Sequence, residues 1–165
     1  MSLQAWLCSS FLSIAALTLT SGCASAPLWR VDGLEGALLS SRLRYVSPER
    51  SSPIVFEMFL QNGHIASFLH LTRFHWSQNS SLDATFQFGS KTGKETLPVL
   101  EGGMRIRLSD ALTQELISTL QEGEEVVILI DGMEKRLLPE AFSSHFEQFT
   151  NAGFSLKKFL KGPFG

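Results

Sequence analysis

The stretch Ile54 to Leu71 reads IVFEMFLQNGHIASFLHL. Two apolar runs flank Asn62-Gly63, and Asn-Gly is the preferred two-residue turn of a β-hairpin because both of its residues tolerate positive φ. A loop of that length fixes the register. Gln61 opposes His64, and Leu60–Ile65, Met58–Ser67, Phe56–Leu69 and Ile54–Leu71 follow along one face. All but Ser67 are apolar, so this is the buried face. The other face carries Phe59–Ala66, Glu57–Phe68 and Val55–His70, a mixed set suited to partial exposure. Turn chemistry and side-chain pattern agree on one register, as a specified hairpin requires.

Alternation continues on both sides of the hairpin. Leu39, Leu43 and Tyr45 alternate with Ser40, Arg42 and Arg44, and Ala84, Phe86 and Phe88 alternate with Thr85 and Gln87. Each set reads as a strand with one buried face. Glu95 to Leu100 reads as an edge strand, because Pro98 lacks the N–H a central ladder needs. Met104, Ile106 and Leu108, interleaved with Arg105 and Arg107, form a further half-buried strand. Gly89 to Lys94 reads as the turn before Glu95.

Beyond Leu108 the period changes. Ser109 is suited to cap a helix whose apolar stripe is Leu112, Leu116, Ile117 and Leu120, and Gly123 is placed to stop it. Val126 to Ile130 is a continuous apolar run, expected to be buried on both faces. Asp131-Gly132 repeats the hairpin signal, and Met133 to Leu138 returns. Pro139 opens a final helix, with Phe142, Phe146 and Phe149 on one face and Asn151 to Gly153 at its end. The pattern predicts a mainly β (α+β) fold: an antiparallel β-sandwich or curved sheet of seven or eight short strands with two covering helices. Residues 37–165 form a single domain on this reading.

The N-terminus has a different character. Ala5 to Thr20 is apolar and uncharged and runs into Thr20-Ser21-Gly22-Cys23. A short apolar run ending in small residues reads as an export leader. Ending on Gly-Cys, it resembles a bacterial lipoprotein signal peptide, with Thr20 where leucine is usual and no Lys or Arg before Arg30. The resemblance covers residues 1–23 alone. It implies cleavage after residue 22 and palmitate-type lipidation of Cys23. It also implies a tether over residues 23–36 and a place on the cell envelope, at the outer membrane or the periplasmic face of the inner membrane. Three other readings of the residues stay open: cleavage at Ala24-Ser25-Ala26, an uncleaved anchor from Leu3 to Thr20, and Cys23 as no more than a small residue near the end of a leader. The second cysteine, Cys8, lies in the leader. Lipidation therefore leaves the domain with neither thiol nor disulfide, standing on its core alone.

Known catalytic signatures do not fit. Gly89-Ser90-Lys91-Thr92-Gly93-Lys94 has three residues between its glycines where a phosphate loop has four, and Glu95 stands where that loop has Ser or Thr. His64 and His70 share a strand face but lie about 20 Å apart along it, too far for one ion. Nothing resembles a nucleophile elbow. The sequence thus points to no catalytic residues, no metal and no cofactor. Phe74, His75 and Trp76, beside Arg73, form an aromatic and basic cluster, a possible ligand or partner contact. In the tail, Lys157, Lys158, Phe159 and Lys161 mix cations with apolar residues. They offer a possible membrane or partner contact, with capping of the core as the competing role.

Charge is divided along the chain. Arg30 to Arg107 holds nine basic and seven acidic residues, whereas Asp110 to Glu147 holds nine acidic and two basic. The overall charge of −2 argues against nucleic-acid binding. The expected function is a non-enzymatic binding or scaffolding module, held on the membrane by its lipid and meeting an envelope protein partner. The alternatives are an envelope hydrolase or carbohydrate-binding enzyme with a site assembled from distant residues, and a secreted effector or adhesin without lipid.

Overall fold

The computed structural model describes residues 28–33, 40–47, 53–72, 76, 80–100 and 102–160, with the backbone alone at 33, 40 and 152–160. Among these residues nine strands form two antiparallel sheets, accompanied by two helices. The first sheet has five strands. Four follow one another in the order of the chain: β1 (Trp29–Gly33), β2 (Ser40–Tyr45), β3 (Ile54–Gln61) and β4 (His64–Leu71). β7 (Arg105–Arg107) then adds beside β4. The second sheet runs β6 (Lys91–Pro98), β5 (Ser81–Phe88), β8 (Val126–Ile130) and β9 (Met133–Leu137).

The β3–β4 hairpin has the expected register, from Ile54↔Leu71 to Gln61↔His64. Asn62 and Gly63 sit at φ 54° and 85°, the left-handed region that an Asn-Gly turn supplies at least cost. Asp131 and Gly132 repeat this between β8 and β9. β6 is an edge strand, as Pro98 requires. It is longer than expected, because the turn is only Gly89-Ser90 and pairing begins at Phe88↔Lys91.

Two sequence readings are corrected at the ends of the domain. Trp29 to Gly33, inside the segment read as a tether, is strand β1, paired with β2 from Trp29↔Tyr45 to Gly33↔Ser41. Trp29 is fully buried, and its indole N–H donates to the Leu138 carbonyl at 2.9 Å. Burying so large a ring is strong reason for the strand to join the sheet. The strand count rises to nine accordingly. At the other end, α2 (Phe142–Leu160) begins three residues after Pro139 and does not stop at Gly153. A glycine inside a helix costs only about 1 kcal/mol relative to alanine and does not by itself end one.

The two sheets share one core. An isolated bridge, Val99↔Ile106, joins the end of β6 to β7, so the ladder turns a corner between the sheets. At the far side β9 approaches β1 and β2. There the buried Lys135 places its ammonium 5.1 Å from the centre of the Tyr45 ring. α1 (Asp110–Gln121) is capped by Ser109, whose Oγ accepts the Leu112 N–H, and buries Leu112, Leu116, Ile117 and Leu120 as expected. α2 lies over the inner face of β1 to β3. Phe142 meets the Trp29 ring edge-on at 4.8 Å, and the Phe149 carbonyl accepts the Ser41 hydroxyl at 2.9 Å. Both of these contacts fall on the core side of the first sheet.

Candidate functional site: an arginine and phenylalanine groove

Alternation places every second residue of the first sheet on its outer face. From β1 and β2 come Arg30, Asp32, Arg42 and Arg44; from β3 and β4 come Glu57, Phe59, Ala66, Phe68 and His70; from β7 come Arg105 and Arg107. Five arginines therefore share this face with two carboxylates. Asp32 is held by Arg30 at 2.8 Å, Arg42 at 3.0 Å and Arg44 at 3.4 Å. Glu57, only 3 % exposed, is bracketed by Arg42 at 3.5 Å and Arg105 at 3.6 Å. A carboxylate so deeply buried needs such neighbours, since an unpaired charge there is strongly disfavoured.

Arg105 reaches its partner by crossing a strand. It stands on β7, opposite His70 of β4, whereas Glu57 lies on β3 beyond β4. On the way its guanidinium passes over two rings, with centroids 5.7 Å away at Phe59 and 6.0 Å away at Phe68. Those rings are diagonal neighbours across the hairpin, 5.6 Å apart and nearly perpendicular. The two rings and Glu57, the latter through an ion pair too long for a hydrogen bond, thus restrain Arg105.

Above this layer lies a groove of about 570 Å³, lined by Phe59, Gln61, Asn62, His64, Ala66, Phe68, Arg105 and Arg107. Its floor is apolar, and one wall carries two cations. Arg107 has an ion pair with Asp110 at 3.5 Å, but both groups are exposed, so water competes for both. Glu57 lies below the floor, outside the lining. A smaller depression on β5 and β6 mixes Asp83 and Glu95 with Lys94 and has no comparable excess of one sign.

Of the residues singled out from the sequence, the structure describes the side chains of Trp76, His64 and His70. Trp76 is a core residue, 2 % exposed, and its indole N–H has no partner among the described residues. Phe74, His75, Cys23 and Lys161 lie outside the described residues, as do the side chains of Lys157, Lys158 and Phe159. His64 and His70 occupy the outer face, His64 in the groove. Among the described residues no three His, Cys, Asp or Glu side chains gather in a way that could hold a metal ion. No helix of the described residues is long and apolar enough to cross a membrane. The groove itself was missed in the sequence. Its signal is the matched parity of Arg105 with Arg107, but only the β4–β7 pairing puts these cations and the two phenylalanines on one surface.

Comparison with known proteins finds no matching family model, no matching curated protein and no matching solved structure.

Proposed function

We propose that this protein is an envelope lipoprotein, anchored through Cys23, whose domain is a non-enzymatic binding module, and that its ligand or partner seats in the outer-face groove. The observation that carries the reading is the groove's composition. An apolar floor with a few fixed polar groups at its rim is the usual make-up of a binding site. Its lining offers one imidazole but no hydroxyl, thiol or carboxylate to act as nucleophile or as a second acid–base group, so binding fits it better than hydrolysis. The anchor rests on Gly22-Cys23 at the end of the apolar leader.

A photo-crosslinking side chain at Gln61, on the groove rim, tests the binding role in intact cells. A crosslinked adduct is expected, and it should fall at least tenfold when Arg105 and Arg107 are both changed to Glu. A probe on the second sheet, at the exposed Leu129, should not give the same adduct. An adduct that survives the charge reversal, or no adduct at all, rules the groove out as the binding surface.

A further inference from the structure

We infer that the groove is built for a phosphate monoester, a small molecule that sets its dianionic phosphate between Arg105 and Arg107 and its apolar or aromatic body on Phe59 and Phe68. This deepens the binding reading above and rests on it.

Charge comes first. Arg105 and Arg107 stand two residues apart on one side of β7, so their Cα atoms are about 7 Å apart, and both side chains line the same groove. Both are arginines, whose planar forks match the oxygens of phosphate or carboxylate. Two cations in one wall, with no carboxylate in the lining, favour a dianion over a monoanion. Glu57 does not reverse the sign. It already lies between Arg42 and Arg105, and its side chain is only 4 % exposed.

Preorganisation comes next. The Arg105 fork offers five N–H donors, and its ion pair with Glu57 engages Nη2. Glu57 and two aromatic rings hold the side chain before any ligand arrives, so less freedom is lost on binding. Arg107 is held only by the exposed Asp110, a contact that an incoming anion can displace.

Shape then sets the rest of the ligand. A groove of about 570 Å³ falls in the size range of small-molecule sites and far exceeds what a bare tetrahedral anion fills. Phe59, Phe68 and Ala66 form an apolar floor beside the cations, which bare phosphate would leave unused. An aromatic or apolar body attached to the phosphate covers the part of that floor that Arg105 leaves open.

Phenyl phosphate is the probe, titrated into the full chain in detergent and followed by NMR. Saturable shifts at Phe59, Phe68, Arg105 and Arg107 are expected. Inorganic phosphate and phenol should each bind at least tenfold more weakly, and phenyl sulfate, a monoanion, should fall between. Arg105→Gln with Arg107→Gln should weaken phenyl phosphate at least tenfold; Arg107→Gln alone, which gives up only the pair with exposed Asp110, should also weaken it and keep the wild-type spectrum elsewhere, so that a loss caused by disturbing Glu57 is told apart. Equal binding of phenyl phosphate and inorganic phosphate would overturn the aromatic part, and equal binding of phenyl sulfate the dianion part. Unchanged binding in the double variant, or no saturation by about 10 mM, would overturn the whole, that concentration lying beyond the weak end of ordinary affinities. If phenyl phosphate fails while the Gln61 adduct still depends on the arginines, the ligand class is wrong and the binding reading stands. If it binds but the Gln61 adduct is missing, the groove's chemistry stands and its role in the cell does not.

Discussion

Glu57→Gln tests the arginine layer. The substitution keeps the volume and removes the charge that Arg42 and Arg105 share. At 3.5 and 3.6 Å each pair is worth roughly 4–5 kcal/mol at an effective dielectric near 20. Taking the carboxylate out of water returns several kcal/mol of that. Solvent screens Arg105 further, as its side chain is 43 % exposed. A net loss of about 2–3 kcal/mol remains, just below the usual cost of breaking a fully buried pair. Urea unfolding followed by the fluorescence of Trp29 and Trp76, both buried, should show the midpoint fall by about 1 M or more at an unchanged slope. A midpoint within about 0.2 M of wild type would mean that Glu57 contributes little, and the picture of a fixed Arg105 would go with it. A changed slope would point to a different denatured state and would not count in its favour.

Four further outcomes are expected. Gly63→Val should cost more than about 1 kcal/mol although its Cβ meets nothing within 4 Å, because the penalty lies in the backbone at φ 85°; Gly63→Asn should recover most of it in thermal melts. Thr113→Val should raise stability by about 1 kcal/mol in urea, since it replaces a buried hydroxyl that has no hydrogen-bond partner among the described residues with a methyl of similar size. Trp29→Phe should cost about 2 kcal/mol by removing the donor to Leu138 and opening space beside Tyr45 and Phe142, whereas a mere tether at this point would leave melting unchanged. Cys23→Ala should abolish palmitate labelling and release the protein from membranes in high salt; a wild type that takes up no label would refute the anchor.

Features made within a few residues were legible in the sequence. The Asn62-Gly63 hairpin, the Ser109 cap and the Asp131-Gly132 turn each rest on short-range chemistry, and each formed in the expected register or place. Features made by distant partners were not legible. β1 holds because Trp29 packs on residues from β2, β3 and α2, none of them near it in sequence. The groove needs β7 to pass over the β5–β6 hairpin and pair with β4, a choice that no local pattern announces. Trp76 reads from the sequence as a contact residue, yet a large aromatic side chain is as useful inside as out, and here it is inside.

The same long-range closures govern when the domain can form. Trp29 and Leu138 are 109 residues apart, and Ser41 and Phe149 are 108 apart. The hairpins can form early and alone, in microseconds, but loops of that length are entropically costly to close and slow the final step. Until α2 packs, the inner face around Ser41 and Trp29 lacks Phe142 and Phe149. The first sheet would therefore stay loosely packed until α2 docks on it.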